Sequence, residues 1–191
     1  MRIIAGEFRG RKLLPPAGDV TRPVTDRVKQ SLFDILAPDI EGARVYDCFA
    51  GTGSMGLECL SRGAGHATFF EADRSAVDRL KKNIAAVGVS NRSTVVAGDL
   101  FRWFDSARPD FKIDLVFLDP PYRFLTERPA EVQRLAARIA ERHLSPAGLV
   151  VFRHDARDAL DLPPLAPADR REYGGMVLEF LRPVEAAPAQ E

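Results

Sequence analysis

Short apolar runs alternate along this chain with longer stretches in which apolar positions recur every three or four residues. The runs cover residues 44–49, 67–70 (closed by Glu71), 93–97, 113–118 and 149–152. Runs of that length and continuity suit strands buried on both faces of a parallel sheet. Between them, Val28, Leu32, Phe33, Ile35 and Leu36 make a helical stripe over about 26–36. Val77, Leu80, Ile84 and Val87 make another over 74–87, with Arg79, Lys81 and Lys82 outward. Further helices are predicted over 54–62, 100–104 and 129–142, the last with Val132, Leu135, Ala136 and Ile139 inward. Thr25 or Asp26 and Asp73 stand where N-caps are expected.

Two pairs of strand candidates flank this series. Residues 170–173 and 176–181 are joined by Gly174-Gly175, a tight connection that predicts an antiparallel hairpin. Residues 2–6 and 12–14 bracket Glu7-Phe8-Arg9-Gly10-Arg11 and predict a small N-terminal β-hairpin, broken off by Pro15-Pro16-Ala17-Gly18. Pro146-Ala147-Gly148 predicts a turn ahead of the fifth central strand. The fold class is therefore α/β: a doubly wound, Rossmann-like sheet of about seven strands with a C-terminal antiparallel hairpin, plus the N-terminal hairpin. Residues 1–24 form a basic hairpin extension, 25–183 the sheet domain and 184–191 a frayed tail. No internal repeat or interdomain linker interrupts them.

Composition narrows the class little. A length of 191 residues, 46% hydrophobic and 28% charged, suits one globular domain with a sizeable core. No run approaches the ~20 apolar residues of a membrane span, and the N-terminus lacks a signal-peptide core, so a cytoplasmic protein is expected. Cys48 and Cys59 sit among apolar neighbours and read as buried thiols, with no metal site implied. Net charge is zero, yet residues 1–30 hold seven bases against three acids. That local surplus points to a phosphate-bearing partner, with Arg9, Arg11, Lys12, Arg22 and Arg27 as candidate contacts; a solvated hairpin with incidental charge is the plainer alternative.

The chemistry gathers at strand ends. Asp47-Cys48-Phe49-Ala50-Gly51-Thr52-Gly53-Ser54-Met55-Gly56 follows the first central strand, with glycines at the spacing G-x-G-x-x-G. Glycine permits a sharp turn and close ligand approach, and Gly56 lets the next helix pack on the strand. A dinucleotide fold would seat a pyrophosphate here, which Asp47 beside the turn would repel. The acid suits a ligand with a positive charge and an ammonium group, such as S-adenosyl-L-methionine. Glu71, with Ala72 beside it, is placed for ribose hydroxyls, and Asp99 with the Leu100 amide for an adenine amino group. Asp47 and the Phe49-Ala50-Gly51 and Gly53 backbone are left to hold the amino-acid moiety, and Phe101 or its neighbours to pack on adenine. Singly, Asp99 could be only a helix cap and Glu71 only a surface ion pair.

Asp119-Pro120-Pro121-Tyr122 ends the fourth central strand. Two prolines remove two N–H donors and stiffen the turn, leaving a carboxylate, bare carbonyls and an aromatic ring. Such a site accepts a planar amine: Asp119 and the Pro120 carbonyl take its hydrogens, Tyr122 stacks on its ring, and the nitrogen lone pair faces a methyl donor. A base in a helix would have to leave its stack to reach it.

This proline turn resembles motif IV of the amino-methyltransferases, and residues 47–56 resemble their motif I. Arg2-Ile3-Ile4-Ala5-Gly6-Glu7-Phe8-Arg9-Gly10-Arg11-Lys12-Leu13 and Arg22-Pro23-Val24-Thr25-Asp26-Arg27-Val28-Lys29-Gln30-Ser31-Leu32-Phe33 resemble one group in particular, the bacterial RsmD family of 16S rRNA guanine-N2 methyltransferases. The likeness runs to about Tyr122. It implies a class I methyltransferase fold and S-adenosyl-L-methionine as cofactor. As partner it implies 16S rRNA within the 30S subunit or an assembly intermediate, with the N-terminal hairpin near RNA. Lys29-Gln30 stands where Arg-Glu is common, and Thr52 where Ser is common. The nearest rival is a DNA adenine-N6 or cytosine-N4 methyltransferase, which generally carries a separate recognition domain. A dinucleotide-dependent oxidoreductase is disfavoured by Asp47 and the proline turn, and a non-catalytic RNA module has no need of an acid at each strand end.

Overall fold

The computed structural model describes residues 1–16 and 25–184. Five parallel strands, β1 (Arg44–Cys48), β2 (His66–Glu71), β3 (Ser93–Ala97), β4 (Ile113–Leu118) and β5 (Leu144–Asp155), are followed by β6 (Leu165–Tyr173) and β7 (Met176–Pro183). They form one sheet in the order β3-β2-β1-β4-β5-β7-β6, with β7 antiparallel to both its neighbours. The winding direction reverses between β1 and β4, and that switch point is where such sheets leave a crevice beyond the carboxyl ends of the strands.

Side-chain alternation along the strands feeds two cores. On one face, Val45, Phe69, Phe117 and Val151 pack under α1 (Asp26–Ile35), α2 (Ser54–Ser61) and α3 (Arg74–Val87). On the other, Tyr46, Cys48, Phe70, Val116 and Phe152 pack under α4 (Leu100–Ser106), α5 (Arg123–Glu127) and α6 (Pro129–Arg138). The expected boundaries of α3 hold, with Asp73 capping through Oδ1 to the Ala76 amide at 2.8 Å and Gly88 closing the helix at φ +86°.

Three elements differ from the pattern-based expectation. The helix begun at Pro129 changes at Ile139–His143 into a π-helical turn. That turn sinks His143 among Tyr46, Trp103 and Phe104, where burial pushes its imidazole down to about 4 and keeps it neutral. Residues 146–148, expected as a turn, run inside β5, because its pairing with β4 shifts register between Ile113↔Leu144 and Leu115↔Leu149. The bulge absorbs the proline within the strand. Helix α5, directly after the proline turn, is too short to leave a periodic signature.

The N-terminal hairpin is tighter than expected and is built into the core. One antiparallel bridge, Arg2↔Lys12, closes it, with Ile3 N–H donating to Arg11 O at 3.0 Å and Gly10 N–H to Ile3 O at 2.9 Å. Ile3 and Leu13 are buried in the core under α1–α3, worth roughly 1.5–3 kcal/mol each. Gly6 lies against the end of α2: a Cβ there would fall 1.8 Å from the Ser61 carbonyl oxygen, at φ +83°. Beneath the hairpin, the fully buried Glu58 carboxylate accepts from the Ile4 and Ala5 amides (2.8 and 3.0 Å), Lys29 Nζ and Arg62 Nε (2.9 Å each). Four donors satisfy an acid that would otherwise be costly to bury. Both cysteines are buried and free, as expected. Among the described residues no helix is long and apolar enough to cross a membrane.

Candidate active site

The glycine turn leaves β1 through Phe49, which adopts φ +61°, a left-handed conformation rare for a side chain of that size. Its ring packs edge-on against Phe101 and Phe124, with centroids 6.1 and 5.9 Å away, and so holds the backbone in place. Gly51 and Gly53 continue at φ +55° and +84°. The three glycines do different work. A Cβ on Gly53 would meet Leu80 at 2.4 Å and one on Gly56 would meet the Phe69 ring at 2.3 Å, so these two seat α2 and α3 on the sheet. A Cβ on Gly51 would meet nothing within 4 Å, which leaves the outer side of the turn open for a ligand to approach the backbone.

The acids of this half are aimed by backbone amides. Asp47, almost fully buried, accepts from Gly56 N–H at 2.9 Å across the turn. Burial pushes its carboxyl up to about 7, aided by the negative charges of Asp119 and Glu71 and opposed by the Gly56 amide and Lys29. Glu71 Oε2 accepts from Gly51 N–H and Oε1 from Asp73 N–H, each at 2.8 Å. An ionised carboxylate has about four acceptor positions, so two remain to meet a pair of hydroxyls. Asp99 caps α4 through Oδ1, taking the Phe101 amide at 2.9 Å and the Arg102 amide at 3.4 Å, while Oδ2 lies 3.7 Å from Arg102 Nε. The plainer role is thus real, and it also fixes the direction in which this half-exposed acid points. Ala72 is exposed at the same rim and Leu100 is buried behind Asp99. An acid-lined crevice with a bare glycine backbone fits a cofactor bearing a sulfonium and an ammonium.

Across the switch point lies the proline turn. Asp119 Oδ1 accepts from Arg153 Nε at 2.8 Å, while about a quarter of the Asp119 side chain stays exposed. Desolvation raises its pKa and Arg153 opposes the rise. Pro120 is buried, Pro121 half-buried, and Tyr122 exposed at the start of α5. Just behind, Arg128 lies over the rings of Phe101 and Phe124 (4.7 and 4.9 Å) and is held by Glu131.

Comparison with known proteins bears on the family and the fold. The family model described as "Conserved hypothetical protein 95" matches residues 1–182. Ribosomal RNA small subunit methyltransferase D of Escherichia coli strain K12 is 44% identical over 123 residues, 64% of this chain and 61% of its own length. YlbH of Bacillus subtilis is 36% identical over 157 residues, 81% of this chain and 83% of its own. The chain belongs to the RsmD family. The solved structure of yhhF from Escherichia coli superposes with a TM-score of 0.81 at 34% identity, covering 96% of this chain and 97% of that one.

Within this RsmD-family chain, the rim brings together Asp47, Glu71, Asp99 and Asp119. It does not bring all the basic candidates there. Arg27 is exposed in the first turn of α1, beside Asp26, which pairs with Arg2 at 2.8 Å. Lys29, about half a turn further on, points inward and donates to Ser54 Oγ, so the N-terminal end of α1 lies beside the start of α2. Lys12 is exposed opposite Arg2. Arg11 donates to Ala86 O at 2.6 Å, at the far end of α3 from Asp73, about 20 Å away at 1.5 Å per residue. Arg9 is exposed at the same hairpin tip, and Arg22 lies outside the described residues. Sequence reasoning missed Arg153, Phe124 and Arg128. Arg153 follows the run 149–152 directly, as Asp119 follows 113–118, and that shared offset was the one signal available; in the structure Arg153 lies within β5, paired with Leu178 of β7.

Proposed function

We propose that this protein transfers a methyl group from S-adenosyl-L-methionine to the exocyclic N2 of a guanine in 16S rRNA of the small ribosomal subunit or its assembly intermediate. The observation that carries the reading is the row of four acids at the ends of adjacent strands β3, β2, β1 and β4, the last of them on a stiff proline corner. The match to a ribosomal RNA small subunit methyltransferase supports the substrate class. Such a substrate places the protein in the cytoplasm.

The cofactor supplies an electrophilic methyl on a positively charged sulfur. Glu71 receives its ribose hydroxyls, Asp99 and the Leu100 amide its adenine, and Asp47 with the 49–53 backbone its amino-acid end. Asp119 and the Pro120 carbonyl accept the two N2 hydrogens, with Pro121 stiffening the corner, and Tyr122 stacks on the base. The guanine N2 lone pair then forms the new N–C bond as the S–C bond breaks, leaving a neutral thioether. Asp119 stabilises the positive charge growing on nitrogen, and a proton leaves afterwards to solvent. Most of the acceleration comes from positioning and preorganised electrostatics. Lys12 and Arg27 contact rRNA near the target and Arg9 and Arg11 meet it further out, with Arg22 as a further candidate contact.

The test is incubation with labelled methyl donor and, in parallel, unmodified 30S particles, naked 16S RNA and DNA, followed by nucleoside analysis. Label in N2-methylguanosine from an RNA-containing arm is expected. Label in DNA N6-methyladenine or N4-methylcytosine, or no label in any arm, overturns the reading.

A further inference from the structure

Asp119 and Arg153 occupy equivalent places on neighbouring parallel strands. Leu118 pairs with Phe152, so each charged residue is the next one past a paired position, on β4 and β5 respectively. Alternation turns both side chains the same way as Phe117 and Val151, toward the α1–α3 face. Arg153 Nε therefore meets Asp119 Oδ1 at 2.8 Å, in a place where the arginine side chain is only 11% exposed. A guanidinium so enclosed is held in one orientation by packing, and its Nε–H fixes the position of Oδ1, leaving Oδ2 out of that bond. We propose that Arg153 is a positioning residue for the methyl transfer: by taking Oδ1 of Asp119 it keeps the acid charged and turns Oδ2 toward the substrate amine.

The reasoning is one of electrostatic balance among the groups around Asp119. From β1, Asp47 stands close enough for the two negative charges to oppose each other. On α1 the nearby cation, Lys29, is already committed to Glu58, Ser54 and the Arg2 carbonyl. From β5, Arg153 supplies the positive charge, and His154 beside it turns to the other side of the strand and bonds the Asp155 carbonyl. Arg153 is thus the counter-ion that lets a desolvated carboxylate remain an acceptor. A neutral Asp119 would carry a proton where the amine needs an acceptor, and would offer nothing to offset the charge growing on nitrogen. No proton moves to or from Arg153 at any point.

The inference rests on Asp119 being the amine acceptor, so the experiment separates the two claims. Arg153→Met, Arg153→Lys, Asp119→Asn and the Asp119→Asn/Arg153→Met pair are assayed for methyl transfer across pH, with cofactor binding and thermal unfolding measured on each. Arg153→Met is expected to move the acidic limb of the kcat/KM profile up by at least about one pH unit, a tenfold loss at its acidic end. That loss shrinks as pH rises, while cofactor affinity is unchanged. Arg153→Lys restores most of the profile, and in the Asp119→Asn background Arg153→Met costs nothing more. An unshifted limb, or full additivity in the double variant, overturns the role of Arg153. Full activity in Asp119→Asn instead overturns the acceptor role of Asp119. Should Arg153→Met not fold, Arg153→Gln carries the same comparison.

Discussion

The two halves of the rim hold their carboxylates by different means. On β1, β2 and β3, Asp47, Glu71 and Asp99 each accept backbone N–H groups from the loop or helix that directly follows a strand. On β4, Asp119 is gripped by the side chain of Arg153, thirty-four positions later in the chain. Backbone donors orient an acid without carrying a full charge. A guanidinium orients it and also favours its charged form against desolvation. Under the proposed function the first half serves as a mould for a bound cofactor, and the second as an acceptor set against the place where positive charge develops. Glu58 combines both modes, with two amides and two cations on one buried carboxylate, and its task is to anchor the hairpin.

The contrast can be broken most severely at Asp119. Asp119→Ala is expected to lower methyl transfer by roughly 10²–10⁴-fold, the range for a positioned acid–base or charge-stabilising group. Cofactor affinity measured by calorimetry should change little; a variant within a factor of two of wild-type rate would remove the acceptor from that half. Next comes the mixed case. Lys29→Met leaves Glu58 one cation short in a dry interior and should destabilise the fold by about 3–5 kcal/mol in denaturant unfolding. A loss below ~1 kcal/mol would mean that the two amides and Arg62 suffice.

On the cofactor half, Glu71→Ala removes the acceptor and frees the Gly51 and Asp73 amides. Cofactor binding should weaken roughly ten- to a hundredfold, with turnover at saturating cofactor nearly retained; an unchanged dissociation constant would take Glu71 out of the site. The smallest effect is a pH dependence at Asp47. Its folded pKa, about 7, lies above the ordinary carboxylate value, so the folded state binds a proton that the unfolded chain has released. Its contribution to stability is therefore fully present below the unfolded pKa and is lost as pH rises toward 7. A cationic cofactor favours the charged form, so affinity should rise with pH through that region, with a proton released on binding. Asp47→Asn should flatten the dependence, and a flat wild-type profile would contradict this account.

Much of the layout of the candidate site could be read from one dimension because its parts are local. Asp47 and Gly56 lie within one turn, Asp73 caps the helix it precedes, and Glu71 follows its own strand directly. Helix and strand periods placed these acids at strand ends, and strand ends of a parallel sheet share one rim. The hairpin was legible as a turn, but its burial was not: nothing near residues 1–14 announces that Glu58 and Asn83 supply its partners. The π-helical turn and the bulge in β5 were hidden for the same reason, since both are adjustments to neighbours met only after folding.

What the sequence determined by itself was the winding, the glycine turn, the proline corner and the family, all carried by short-range periodicity and contiguous motifs. What only the tertiary structure decided was pairing between distant positions: Arg153 with Asp119, Lys29 with Glu58, Phe49 with Phe101 and Phe124, and Arg11 with the far end of α3. Charge and packing act across a few ångströms of space whatever the separation along the chain, so the state of a buried acid is known only once its neighbours are.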